Sequence, residues 1–472
     1  MLRRIVCQAL ACSALLWGAQ SHAQIALFAP PGVHPEFVGK VATAHINVHS
    51  PKALEKNLQA VKGSATRLDL DLGPILNGRK PLSQVRTRYR ATDDAGGPAS
   101  WQKKAMAPLA VNKLRVIPSD AQARKILRPY MAVIQRYQAQ VATVFIADEP
   151  YLHGIPKADL ERMAITVRQM FKEYGIQDVK LGLIFASGMV NAEFAQMVDQ
   201  ESLRYVQNID AHRKTITRLG AKATAAERQW LKDITRHRLT TYDNAGNLYT
   251  GGGVPRGYDL YGFDFYLSTA LQDRLYENML PLLKKQVQGG ECDISAYTTM
   301  SELRAQLSFY QDGPVRQPSA ADKAAGRPTP QQQDKHLLDQ LYQCRMTAAT
   351  EMLRKELAKI GSKGKILVLT ESSNNGVLEF DARQNIEKDQ PERLIESRVL
   401  DEVQRGLDFY QAQRKNGDIA ALEFFTFDNT FDKTIQLDIG GFVDMPAVKN
   451  LIFDRSQREM CQSGVTAACQ KH

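Results

Sequence analysis

Residues 141–147 read Val-Ala-Thr-Val-Phe-Ile-Ala and run straight into Asp148-Glu149-Pro150-Tyr151. An uncharged, largely β-branched and aromatic run of this kind predicts a strand buried on both faces, as in a parallel sheet. Pro156 then opens a helix with apolar residues at Leu160, Met163, Val167, Met170, Phe171 and Tyr174, and Gly175 stops it. Residues 179–185 (VKLGLIF) predict the next strand. Strand, helix and strand in this order form one βαβ unit, the building block of α/β folds.

The same alternation extends in both directions. Upstream, residues 41–48 (VATAHINV) predict the first strand, and Ser50-Pro51 the cap and first turn of a helix. Residues 66–72 (TRLDLDL) predict a second strand and 113–117 a third, followed by a helix to about Gln140. Downstream, strands six, seven and eight are expected within 258–267, 365–369 (KILVL) and 420–427 (AALEFFTF), the last after a helix over 392–414. Eight strands with intervening helices predict an α/β fold of the (β/α)8 TIM-barrel type. Long loop insertions are expected at about 73–108, 190–255 and 289–335, within one barrel domain over 24–455. A doubly wound sheet fits less well, because no Gly-rich phosphate turn follows Val48.

The N-terminus predicts export. Arg3 and Arg4 precede an apolar stretch over 5–17, and Ser21-His22-Ala23 offers small residues to a signal peptidase. A signal peptide over 1–23, cleaved after Ala23, places the protein in the periplasm or outside the cell. Cleavage removes Cys7 and Cys12 and leaves Cys292, Cys344, Cys461 and Cys469. An even number in an exported chain predicts disulfides. Of the possible pairings, Cys461–Cys469 with Cys292–Cys344 is favoured, since the first closes a short loop in a C-terminal tail over 456–472. No CxxC occurs, which argues against a zinc ribbon or redox motif.

With 43% hydrophobic and 24% charged residues, the composition is that of an ordinary globular chain. The net charge of +10 favours acidic partners such as an anionic polysaccharide. No Lys/Arg run is dense enough for a nucleic-acid arm, and no integral membrane segment is expected after signal cleavage. The oligomeric state is left open.

Barrel active sites lie at the C-terminal ends of the strands. His45, Asn47 and His49 stand at the end of the first expected strand, Asp69 and Asp71 on the second, and Asp148, Glu149 and Tyr151 after the fourth. Asp264 and Tyr266 stand on the sixth, Glu371 to Asn374 after the seventh, and Asp428 after the eighth. Glu149 and Glu371 each follow a strongly apolar strand, where a charge is costly unless paired or used. Strands four and seven face each other across a barrel mouth. Glycosidic cleavage needs two such carboxyls, one to protonate the leaving oxygen and one to attack the anomeric carbon or activate water.

In VFIADEPY followed by VLTESSN, the chain resembles the clan A glycoside hydrolases. The Asp-Glu-Pro form is similar to bacterial glycosidase-related barrels of unassigned activity. The resemblance covers the barrel, roughly 40–430, and its specific part is these two motifs. It implies Glu149 as acid/base, Glu371 as nucleophile and Tyr266 as the tyrosine that orients the nucleophile. Where the clan usually carries Asn, this chain has Asp148, which accepts but cannot donate a hydrogen bond when ionised.

Three other readings compete. An amidohydrolase-type metal barrel would use His45 and His49, but the His-x-His spacing and the later histidines are missing. A chitinase-type barrel would need a Glu where Ser268 stands. A non-catalytic exported saccharide-binding barrel would use Tyr151, Phe265, Tyr266, Phe425 and Phe427 as sugar platforms. No GxSxG, P-loop or dinucleotide fingerprint occurs. The reading is therefore an exported glycoside hydrolase acting on a polysaccharide by a two-carboxylate, retaining mechanism. Glu149 and Glu371 are the catalytic candidates. Asp148, Tyr151, His45, Tyr266, Asn374 and Asp428 are the substrate-binding candidates. The chemistry calls for no metal and no cofactor.

Overall fold

The computed structural model describes residues 24–79, 115–236, 252–267, 271, 276–287, 292–307, 324–374, 392–432, 437–465 and 469. The expected signal peptide and most of the 73–108 insertion lie outside the described residues.

Eight parallel strands close into a barrel. They are β1 (Gln24–Phe28), β2 (Thr43–Asn47), β3 (Arg67–Asp71), β4 (Val141–Asp148), β5 (Lys180–Ala186), β6 (Leu260–Phe265), β7 (Lys365–Glu371) and β8 (Ile419–Phe425). Each strand pairs with its chain neighbour, and β8 closes on β1 with Phe425 opposite Phe28. This is the (β/α)8 architecture expected from the alternation of strand and helix.

The membership of the barrel differs from the sequence reading in two places. Its first strand is β1, which begins directly after the expected cleavage site and has Ile25, Ala26 and Leu27 fully buried. The apolar run of 25–29 is short and lies between the expected cleavage site and Pro30-Pro31, so its length and periodicity alone do not mark it as a barrel strand. Conversely, the described residues of the expected strand 113–117 supply no barrel strand. Arg115–Val116 pairs antiparallel with Gly78–Arg79 in a short ribbon outside the barrel. One strand gained and one lost leave the numbering of β4 to β8 as expected.

The helices follow their local signals. In α1 (Pro51–Ala60), the Ser50 hydroxyl accepts from the Ala53 N–H at 3.2 Å and Pro51 occupies the first turn. In α2 (Lys157–Glu173), Leu160, Met163, Val167, Met170 and Phe171 form the buried stripe, and Gly175 follows with φ 65°. The 190–255 insertion begins with α3 (Ala192–Leu219). A long helix, α4 (Pro330–Lys359), starts from a capping box in which Thr329 and Gln332 satisfy each other's backbone. Next come α5 (Glu392–Gln413) and α6 (Pro446–Gln462).

Cys292 bonds Cys344 of α4, and Cys461 bonds Cys469, the two favoured pairings. The tail expected from 456 onward begins inside α6, whose Ser456 hydroxyl donates to the Ile25 carbonyl of β1 at 3.3 Å. Among the described residues, no helix is long and apolar enough to cross a membrane.

Candidate active site

The barrel interior is not uniformly apolar. Phe28, Phe145, Ile184, Leu260, Leu367, Leu369 and Ala421 form an inner cluster. Gly182 makes this packing possible, because a Cβ there would lie 2.6 Å from the Phe145 ring. Phe145 in turn stacks on His45, with centroids 4.8 Å apart. His45 Nδ1 lies 3.2 Å from a Glu423 carboxylate oxygen, and both residues are buried. Beside this pair, Thr143 and Thr43 hydrogen-bond the Asp69 carboxylate. Asp71 accepts from the Gly73 N–H at 2.7 Å.

Burial alone would lower the His45 pKa, but Glu423, with Asp71 and Asp69 behind it, pushes it up to about 9. His45 is therefore a cation at neutral pH, enclosed by acids. Burial raises Asp69, Asp71 and Glu423 above the usual carboxylate range, and the His45 charge opposes that rise in each. His45 thus lies in the interior layer beneath the mouth, 1% exposed. Its charge reaches Asp148 from below.

Strand β4 bends where its chemistry begins. Phe145 pairs with Gly182 and Asp148 with Ile184, so β4 spends three residues where β5 spends two. This bulge carries one extra residue and re-aims the chain beyond it. With strict alternation Phe145 and Asp148 would face opposite sides; the bulge turns both inward. Glu149 then takes φ 43°, in the left-handed region, while its N–H donates to the Ile184 carbonyl at 2.9 Å. The next residues fold back, with the His153 N–H donating to the Glu149 carbonyl at 3.2 Å.

Asp148 opens to solvent and Glu149 is half-buried. Desolvation by the protein packed around Asp148 raises its pKa well above normal, with Glu149 and Asp71 adding repulsion and His45 opposing. On β6, buried Asp264 is raised well above normal by burial and then by Glu149 and Asp148, and it shares a hydrogen bond with Glu149.

Glu371 ends β7 in register with Phe425 and is 2% exposed. Thr370 beside it bonds the Tyr342 hydroxyl of α4 at 2.8 Å, outside the barrel, so Glu371 turns inward by strand alternation. Tyr266 stands between the two sides, its ring 5.3 Å from that of Phe425. Burial raises its phenol well above normal, and so do Asp264, Asp148, Glu149 and Glu371. Tyr266 is thus a protonated donor at neutral pH that feels acids from β4, β6 and β7.

No protein-family model matches this chain. No curated protein matches it. Among solved structures it is similar to the PgaB (BpsB) glycoside hydrolase domain from Bordetella bronchiseptica. That likeness has 9% identity and a TM-score of 0.25, covering 91% of this chain and 98% of that one.

Other expected contacts fall elsewhere. Tyr151 is buried against Phe185, and its hydroxyl donates to the Gly253 carbonyl at 2.6 Å. It is part of the wall behind the site, because the left-handed turn at Glu149 sends the chain away from the mouth. Phe265 and Phe427 are also core residues, which leaves Tyr266 and Phe425 as the half-open aromatics of the five proposed platforms. Asn374 spends its carboxamide oxygen on the Gly440 N–H at 2.6 Å and its own backbone N–H on the Gly440 carbonyl at 2.9 Å. It staples the loop after β7 to the segment after β8 and is not free to hold a sugar hydroxyl through that oxygen. Half-buried Asp428 sits within the field of His34, and its Oδ2 has no hydrogen-bond partner among the described residues.

Two members of this arrangement carry less weight in the sequence. Asp264 stands there on the sixth strand without being a final site candidate, and Glu423 does not stand out among the candidates. A signal for Glu423 is nonetheless present as a lone charge within AALEFFTF, since an ionisable group inside an apolar strand needs a partner. Among the described residues, no group of three or more His, Cys, Asp or Glu is arranged to hold a metal ion.

Proposed function

We propose that this chain is an exported glycoside hydrolase that cleaves a polysaccharide with Glu149 as acid/base and Glu371 as nucleophile. The observation that carries the reading is the placement of Glu149 directly beyond the β4 bulge and of buried Glu371 at the inward-facing end of β7, with Asp264 of β6 and Tyr266 just after that strand between them. Half-buried Glu149 has access to a leaving-group oxygen, while buried Glu371 stands at the end of β7, and Tyr266 feels its charge. Glu149 would protonate the glycosidic oxygen as Glu371 attacks the anomeric carbon. Glu149 would then deprotonate the water that releases the sugar.

Among the described residues, the titratable groups acting on Tyr266 at this mouth are acids. A polyanion would meet Asp148, Glu149, Asp264 and Glu371 there, so a neutral or cationic saccharide fits better than the acidic one suggested by composition. Export is supported by the leader-like N-terminus and the two disulfides.

The test is hydrolysis of a panel of neutral, cationic and acidic polysaccharides by the mature protein, with Glu149→Gln and Glu371→Gln beside it. The expected result is turnover lost by about a thousandfold or more in both variants with folding intact. Turnover surviving both changes overturns the mechanism. Binding without turnover in every form assigns the protein to the saccharide-binding class.

A further inference from the structure

Asp264 and Glu149 come from strands that do not touch. Between β6 and β4 lies β5, and the two acids meet above its end. Ala186 of β5 is in register with Asp264, and the Glu149 N–H binds the Ile184 carbonyl on the same strand. In-register neighbours of a parallel sheet share a face, so the side chain beneath the meeting point is a single methyl. A larger residue at Ala186 would fill the space that lets the carboxyls approach. Asp264 is 6% exposed and Glu149 half-buried, so one partner is shut off from water and the other faces the mouth.

The groups around Asp264 are mostly acids. Glu149 and Asp148 face it from β4, Tyr266 follows it on its own strand, and Glu371 of β7 lies across Tyr266. The facing cation is Arg345 of α4, fully buried behind the sheet and hydrogen-bonded to the Ser187 carbonyl at 2.7 Å. Two carboxyls in hydrogen-bond contact hold one proton between them, because ionising both would place like charges side by side.

We propose that Asp264 is the proton-holding positioning residue for Glu149, so that the pair, and not Glu149 alone, supplies the acid for bond cleavage. This rests on the glycosidase reading above. In the resting pair, the Asp264 O–H donates to the Glu149 carboxylate. When a saccharide displaces water from Glu149, the O–H bond on Asp264 breaks as one on Glu149 forms. Glu149 passes that proton to the glycosidic oxygen as the C1–O bond breaks and Glu371 bonds C1. Water then gives its hydroxyl to C1 and its proton to Glu149, Glu371 departs, and the pair again holds one proton.

The test uses the mature protein with ¹³C-labelled Asp and Glu side chains, titrated without substrate, beside Asp264→Asn. Asparagine keeps the size and an N–H donor to Glu149 but carries no transferable proton. A carboxyl titrating above about pH 6 in the wild type and absent from Asp264→Asn is expected. With a cleaved polysaccharide, the alkaline limb of kcat/KM should move down by about one pH unit or more in Asp264→Asn. A merely structural acid would lower the rate without moving that limb. Wild-type carboxyls that all titrate between about pH 3 and 5, or an unmoved limb, overturn the proposal. Because Asp69, Asp71, Asp148 and Glu423 are raised as well, the high titration is assigned to Asp264 by its loss in Asp264→Asn or, should that variant fail to fold, in Asp264→Ser. The titration needs no substrate, so a protein that cleaves nothing but keeps this high titration refutes the glycosidase reading and supports the shared proton.

Discussion

The His45 imidazole on β2 lies 3.2 Å from the Glu423 carboxylate on β8, both inside the closed barrel. Desolvation opposes the charge on His45, and Glu423, Asp71 and Asp69 outweigh it, so the folded pKa rises to about 9. A histidine raised on folding stabilises the native state fully below its unfolded value of about 6.5, and that contribution disappears as pH rises through the folded value. Stability should therefore fall between about pH 6.5 and 9 for this reason. Urea midpoints across that range check it. In a His45→Gln, Glu423→Gln double variant this slope should vanish. His45→Gln alone should cost roughly 3–5 kcal/mol, because it leaves Glu423 buried beside Asp69 without a cation. A flat wild-type curve would show that the pair holds no extra proton.

Glu149 occupies the left-handed region at φ 43°, a conformation that costs a residue with a Cβ roughly 1 kcal/mol. Glu149→Gly should remove that cost and raise stability by up to about 1 kcal/mol, while abolishing turnover. Glu149→Gln should abolish turnover with no such gain. Comparing the urea midpoints of the two variants separates backbone strain from side-chain chemistry. Equal midpoints would mean that the strain is absent.

Two tyrosines close to Glu149 should behave in opposite ways. Tyr151→Phe removes the hydroxyl that donates to the Gly253 carbonyl, at a cost of about 1 kcal/mol in stability and with kcat/KM on a cleaved polysaccharide held within about twofold. Tyr266→Phe removes a hydroxyl that lies in the field of four carboxyls. It should lower kcat by about tenfold or more and leave the fold intact. Thermal unfolding beside steady-state kinetics reads both changes. A large kinetic loss in Tyr151→Phe would return that residue to the site.

The parts of this arrangement that are legible in sequence are those written in periodicity. The apolar run at 141–147, the helix stripe from Leu160 to Phe171 and the acids after β4 and β7 can all be read without coordinates. The bulge in β4 cannot, because VATVFIAD contains neither Gly nor a break in its pattern. That hidden residue decides that Asp148 faces inward and that Tyr151 leaves the mouth. Residues 113–117 have strand-like composition, but Arg115 and Val116 pair in a two-residue ribbon instead of taking a barrel position. The Asp264–Glu149 contact joins β6 to the residue after β4 across β5, so no local pattern records it.

Asp148 offers a final check on the electrostatics of the mouth. It opens to solvent, yet the protein around it raises its pKa well above normal, followed by repulsion from Glu149 and Asp71, with His45 opposing. A carboxyl raised on folding binds its proton more tightly in the native state. Its effect on stability is therefore most favourable below the unfolded value near 3.9 and becomes adverse as pH rises through the folded one. Asp148→Asn removes that penalty and also weakens the repulsion felt by Asp264. The variant should be more stable than wild type at pH 7, and the advantage should shrink toward pH 4. Urea midpoints at the two pH values measure it. The same variant should lower the high carboxyl titration assigned to the Asp264–Glu149 pair, since one of the acids opposing its ionisation is gone. An advantage equal at both pH values would mean that Asp148 is ordinary surface acid and that the mouth is less crowded with charge than its geometry indicates.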